Sequence, residues 1–580
     1  MKRLAYIIFL LFLLAIPAAF AKQGHMRLLA VKEAPGGFNG SIADLYLEIT
    51  DGTGRVFLDT FPLTKVDTQL STRFAKEIAC DYLDEDCSKF DFFYMIRSES
   101  PIVGGPSAGA AITFLTMALL DDIPIDESAT VTGTINSGGI IGHVGGIKPK
   151  IDVAAESGLK KVLIPKGSVV KEANETVDLE KYAKSKNIEV FEASTVDDMI
   201  HLFTGREIKE EGNLSIDENY AQTMKALSIK LCGKSTELKS EIIKFDPENK
   251  TNLTKANEFY NLGMEAFSKG LHYTSASYCY GANVRYRHAL YNQENLTESA
   301  IHQIINFAQR DAANLRNKLQ GSEIETITDL ETYMVVNDRL IEAEKYIEKT
   351  LENINVSERA YYLAYAMERI YSAYSWFEFL AHAGKKLNLN EETLKVSCQN
   401  KISEADERYQ YVSMFISKTP LESTRDAIEL AYKDLYAGDY PLCLFKASKA
   451  KAEADVILSV SNIEEEHTDI LLQQKLDVAK KNIVRELNED IFPVLGYSYY
   501  EYANSLKEDD KYSALLYAEY ALELSGLDIY FKETKREFKL PEVQIHIILM
   551  FVWGFLLGLI VGLLIKIRRA HTKGKRRKHR

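Results

Sequence analysis

Proline is scarce in this chain, 13 residues in 580, and tryptophan scarcer still, at 2. Tyrosine (32) and phenylalanine (26) are plentiful by contrast. That balance excludes a disordered scaffold and favours packed helices. A basic surplus is missing as well: 70 Lys and Arg stand against 83 Asp and Glu, a net charge of −13. No nucleic-acid partner is expected, because phosphate contacts need basic surface. Six cysteines do not make a disulfide scaffold in a chain this long. Cys80 and Cys87 are close enough to bridge in an oxidising compartment, and two free or buried thiols fit equally well. The chain has no CxxC and no HExxH, so no metal and no cofactor are expected. Asp84-Glu85-Asp86 reads as a solvated acidic loop. The phosphate-cradling pattern G-x-x-x-x-G-K-[ST] is also lacking: Gly233-Lys234-Ser235 imitates its end, but Ser228 holds the place of the upstream glycine.

Both ends of the chain carry long apolar runs. Residues 1–21 read as a signal peptide or N-terminal anchor, with Lys2 and Arg3 ahead of an apolar centre and Ala19-Phe20-Ala21 as a cleavage pattern. Val543 to Ile565 holds about 23 residues without Asp, Glu, Lys or Arg, long enough to cross about 30 Å of hydrocarbon. The expectation is a transmembrane helix over 542–566 and a basic cytoplasmic tail over 567–580. The cell membrane would then be the location, with the body of the chain outside the cytoplasm. Sequons at Asn174, Asn252 and Asn295 fit that side.

Between the ends the pattern changes once. Met26 to Leu63 alternates apolar and polar residues between turn-forming stretches and reads as antiparallel strands. A helix follows over Val66–Leu83, a strand over Phe90–Ile96, and an apolar helix over Ser107–Leu120. Strands are expected at Ala129–Gly133, Val162–Pro165 and Ile188–Ala193, with a helix from about Pro149 to Ser157 and a short one ending at Thr204. Residues 22–205 thus form a mixed α/β domain, and 206–541 read as helical. Three segments in the helical part, beginning at Asn257, Glu429 and Tyr499, each pair two helices with Tyr and Ala at helical intervals. They look like tetratricopeptide-type helix pairs, without that repeat's regular period.

The chemistry is concentrated at Gly104-Gly105-Pro106-Ser107-Ala108-Gly109. Ser107 falls at a helix start, where free backbone N–H groups point outward and small neighbours admit a substrate carbonyl. Alone, the hexapeptide reads as a serine capping a helix. A second stretch, Gly145-Gly146-Ile147-Lys148-Pro149-Lys150, changes that weighing.

With Thr132-Gly133 and Val162-Leu163-Ile164-Pro165, these motifs resemble the proteolytic domain of the Lon protease (S16) family in order and spacing. The resemblance covers roughly residues 25 to 205. It extends to an archaeal-type, membrane-anchored Lon-like protein without an ATPase module. It implies a serine-type endopeptidase with Ser107 as nucleophile and Lys150 as general base, and with Thr132 orienting the lysine. Pro106, Ala108 and Gly109 would complete the nucleophile motif, and Gly145 and Gly146 the glycine pair before the base. Lys148 stands where the family varies and reads as exposed. A base lysine must be neutral when it acts, so its ordinary value of about 10.4 must fall. Burial and the positive end of a helix opened by Lys150 would both lower it. His143 invites a triad, but the resemblance supplies a base without it.

Many family members carry an acidic residue where this chain has Gly104, and most couple to an ATPase. The expectation here is ATP-independent hydrolysis of unfolded or short polypeptides, with a homo-oligomer, hexamer-like by resemblance. The alternative is an inactive Lon-like scaffold whose helical region binds protein partners.

Overall fold

The computed structural model describes residues 21–34, 37–83, 85–103, 106–168, 170–172, 175–206, 212, 214–216, 218–245, 251–294, 296–352, 355–380, 382, 384–413, 416, 419–461, 468–531 and 553–566. The expected signal segment, Asp84, Gly104, Gly105, Asn174, Asn295 and the basic tail lie outside the described residues. The described residues from Lys22 to Phe531 form one compact unit.

The first layer is a four-stranded sheet in the order β1 (Lys22–Ala34), β2 (Gly37–Asp51), β4 (Phe90–Val103), β3 (Val56–Thr64). The β1–β2 and β2–β4 pairs are antiparallel, as the alternating pattern predicts, while β3 and β4 run parallel. The parallel pair needs a crossover, and α1 (Val66–Leu83) supplies it. Behind the sheet lies α2 (Gly109–Leu120), buried at every position except Leu120. A helix apolar on all sides is a core helix. Its Thr113 and Thr116 hydroxyls are satisfied by Gly109 O and Ile112 O, at 2.9 and 2.7 Å.

A second, parallel sheet has the order β11 (Glu189–Ala193), β8 (Lys161–Pro165), β5 (Ala129–Val131). Two antiparallel hairpins complete the strands: β6 (Thr134–Asn136) with β7 (Ile140–Gly142), and β9 (Lys171–Glu172) with β10 (Glu175–Thr176). Three more helices are α3 (Ile147–Glu156), α4 (Leu179–Ser185) and α5 (Val196–Thr204). A capping box of Thr195 and Asp198 starts α5, and Gly205 in the left-handed conformation (φ 69°) ends it.

The described residues from Glu218 to Ser525 are mostly helical. The elements are α6 (Glu218–Phe245), α7 (Thr254–Ser268), α8 (His272–Gln293), α9 (Glu298–Gln320), α10 (Ile327–Thr350) and α11 (Val356–Phe377). They continue with α12 (Glu391–Ser413), α13 (Glu422–Ala437), α14 (Tyr440–Ser461), α15 (Thr468–Asn488), α16 (Val494–Leu506) and α17 (Lys511–Ser525). The three Tyr/Ala-rich segments fall on the packed pairs α7–α8, α13–α14 and α16–α17. Gly233-Lys234-Ser235 lies inside α6, where the Ser235 side chain is buried against Asn283.

Two expectations need correction. All six cysteines pair, as Cys80–Cys87, Cys232–Cys279 and Cys398–Cys443. The last two tie α6 to α8 and α12 to α14, contacts between residues too far apart in sequence to be read from spacing. The expected C-terminal transmembrane helix is overturned: among the described residues no helix is long and apolar enough to cross a membrane. The described helix at 553–566 rises about 21 Å at about 1.5 Å per residue, short of about 30 Å.

Candidate active site

Ser107 occupies the middle of a 3-10 turn, Pro106–Ala108, immediately before α2. It is half-buried. The turn is fastened on both sides by one residue: Gly133 N donates to Ser107 O (3.0 Å), and Ala110 N donates to Gly133 O (3.1 Å). Close packing explains the small residues. A Cβ on Gly109 would meet Ile135 N and Ser71 Oγ, both at 3.0 Å, and one on Gly133 would meet Ile141 Cγ2 at 2.5 Å. Pro106 O also receives a long bond, 3.5 Å, from the Ser71 hydroxyl.

Lys150 lies in the first turn of α3, whose N-cap is Gly146 in the left-handed conformation (φ 69°). The helix opens at Ile147, three residues earlier than a helix opened by Lys150. Pro149 fits in that first turn because its missing N–H would have had no partner there. Lys150 is only 2% exposed. Burial alone pushes its amine down from the ordinary 10.5 to about 8. Its Nζ donates to Thr132 Oγ1 at 2.9 Å. Thr132 is itself buried, and its N–H is fixed on Leu163 O at 2.9 Å. Thr132 and Gly133 are therefore the junction of the site: one holds the lysine, the next holds the serine's turn.

The structure separates the two competing lysines. Lys148 is half-buried, not exposed as expected, and its Nζ sits 4.8 Å over the Tyr182 ring. His143 lies on a small cavity with Thr134, Asn136, Ile470 and Gln474. Gly145 carries no packing constraint, since a Cβ there meets nothing within 4 Å. Among the described residues, no hydrogen bond joins the Ser107 hydroxyl to the Lys150 amine. The serine turn and the lysine meet through Thr132-Gly133.

Several residues that hold this region together were not legible in advance. The β6–β7 tip, Ser137-Gly138-Gly139, is inserted between α15 and α17 of the helical region. Arg408 of α12 lies 3.4 Å over the Phe74 ring, and Lys481 of α15 pairs with Asp197 at 2.5 Å.

A buried lysine is thus held by a threonine whose neighbour fastens the serine-bearing turn at a helix start. Residues 99–204 match the family described as the Lon protease (S16) C-terminal proteolytic domain. Among curated relatives, the archaeal Lon protease of Thermococcus kodakarensis is 31% identical over 121 residues, 21% of this chain and 18% of the relative. That of Methanothermobacter thermautotrophicus is 36% identical over 84 residues, 14% of this chain and 13% of the relative. Lon protease 2 of Bacillus subtilis is 43% identical over 63 residues, 11% of each chain. The likeness is thus to the proteolytic part of Lon proteases, and the chain spans less than a fifth of the length of these relatives.

Proposed function

We propose that the chain is a serine endopeptidase that hydrolyses unfolded or short polypeptides with a Ser107–Lys150 dyad. The observation that carries this reading is the state of Lys150. Its amine is buried, lowered to about 8 and held by Thr132, next to the residue that fastens the Ser107 turn. A lysine with that value is substantially neutral at mildly alkaline pH, the state a general base requires.

In this reading neutral Lys150 takes the Ser107 hydroxyl proton while Oγ adds to the substrate carbonyl carbon. Backbone N–H groups at the start of α2 receive the oxyanion. As the carbonyl re-forms, the peptide nitrogen leaves with the proton from Lys150. Water, deprotonated by the same amine, then releases the acyl group and regenerates both residues. Thr132 orients the amine throughout.

The domain would act without ATP and outside the cytoplasm. In support, Gly233-Lys234-Ser235 is helical and not a phosphate loop, and three disulfides fit an oxidising compartment. A homo-oligomer is part of the same proposal, and the mass in solution tests it. One observation favours an inactive scaffold instead, namely that the Ser107 hydroxyl and Lys150 share no hydrogen bond. Catalytic hydrogen bonds are often long in ligand-free enzymes and tighten with substrate, so this weighs little.

Unfolded casein, offered without ATP to the full chain, to Ser107→Ala and to Lys150→Ala, tests the proposal. Cleavage is expected from the first only. Equal turnover by all three, or none by the unaltered chain, overturns it.

A further inference from the structure

The helical region reaches the active-site strand from its far end. Thr132 and Gly133, which hold Lys150 and the Ser107 turn, run straight into β6 and then into Ser137. The Ser137 side chain is 3% exposed, and its hydroxyl donates to the Glu519 carboxylate of α17. The other oxygen of Glu519 receives the Lys475 amine of α15, and that amine also lies 3.5 Å from Ser137 Oγ. Lys475 and Glu519 are both 0% exposed.

The shape of the tip agrees with a fixed socket. Gly138 adopts φ +70°, and a Cβ there would meet Val478 Cγ1 of α15 at 2.7 Å and Leu522 Cδ2 of α17 at 3.2 Å. Gly139 also has positive φ (+73°), and a Cβ there would meet Val196 Cγ2 at 3.0 Å. Ile140, the next residue, packs into the core of the helical region. A buried ion pair contributes little net stability because desolvation offsets its attraction, but it demands one geometry. Here that geometry fixes a peptide four residues from the junction that aligns base and nucleophile.

We infer that the helical region is a clamp that positions the active site, with Ser137, Glu519 and Lys475 as positioning residues. This rests on the Ser107–Lys150 reading. None of the three touches substrate. They act through the backbone of Thr132–Asn136, so loosening the tip frees Gly133 from the Ser107 turn and Thr132 from the Lys150 amine.

A small serine-directed fluorophosphonate tests this without any need for a polypeptide substrate. The phosphorus–fluorine bond breaks as the Ser107 oxygen bonds to phosphorus, fluoride leaves, and the hydroxyl proton goes to Lys150. Labelling of the full chain is followed by intact mass against pH, for the unaltered protein, Ser137→Ala, Glu519→Gln and Ser137→Thr, each with its thermal midpoint. Ser137→Ala and Glu519→Gln are expected to label about 10-fold more slowly per folded molecule, the scale set by small misplacements of reacting groups. Their labelling midpoint should also rise above the unaltered protein's, as Lys150 loses its fixed buried place. Ser137→Thr, which keeps the hydroxyl, should restore most of the rate. Unchanged rates and midpoints in folded Ser137→Ala and Glu519→Gln overturn the clamp and leave the dyad standing. No labelling at Ser107 in the unaltered protein removes the dyad reading, and the clamp with it.

Discussion

The Lys150 amine donates to the Thr132 hydroxyl across 2.9 Å in a pocket that leaves Lys150 only 2% exposed. Two consequences follow from that pairing. The amine is held at one place, and the missing water makes its charged form costly.

Peptidase activity should rise with pH through about 8, following the fraction of Lys150 that is neutral. The test is kcat/KM on a fluorogenic peptide between pH 6 and 10. A rate that falls across that range is incompatible with Lys150 as base.

Lys150→Met should be inactive and more stable. Unfolded lysine titrates at 10.5 and the folded one at about 8. Between those values the unfolded chain binds the extra proton, so stability of the unaltered protein rises with pH there. Below about 8 the whole penalty is present, on the order of 3 kcal/mol from a shift of that size. Urea unfolding at pH 7 should show the variant more stable by roughly that amount, and the two curves should converge near pH 10.5.

Thr132→Val keeps the shape and removes the hydroxyl that orients the amine. A fall in kcat of about 10- to 100-fold with little change in KM is expected, since the lost bond serves the reacting geometry and not substrate binding. Steady-state kinetics separate the two constants, and a change confined to KM would refute the orienting role.

Gly40→Val should weaken the site from outside it. Gly40 of β2 faces the first turn of α3, where a Cβ would collide with Pro149 O and approach Val153 Cβ to 2.7 Å. Accommodating the side chain pushes α3, and Lys150 with it, off the sheet. Overpacking of this kind costs about 1–3 kcal/mol. Thermal unfolding and labelling of Ser107 should both report the change.

Opening the Cys398–Cys443 bridge by a double Ser substitution releases a loop of 45 residues in sequence between α12 and α14. Chain entropy puts the expected loss at about 4 kcal/mol. Denaturant melts measure it, and a loss near zero would show that helix packing alone holds those elements.

Much of the fold was legible from period and turns. The helix expected at Val66–Leu83 has those limits, and the strand at Ile188–Ala193 differs from β11 by one residue. The short elements were not: β6 and β7 have three residues each and α4 seven, too few for a period to show. The apolar run from Val543 reads as a span by length and composition, but the described residues contain no helix that meets that length.

The order of motifs along the chain, Ser107 before Thr132 before Lys150, was determined by sequence alone, because a turn, a glycine pair and a helix start are local and leave local patterns. Which lysine is buried, with its pKa lowered, was decided only by tertiary structure. Lys148 and Lys150 flank the same proline, yet one lies over Tyr182 and the other is sealed against Thr132, according to which face of α3 meets the rest of the domain. The Cys232–Cys279 and Cys398–Cys443 pairings and the socket around Ser137 were decided the same way. They join residues tens to hundreds of positions apart, and burial there depends on what the folded chain brings back from that distance.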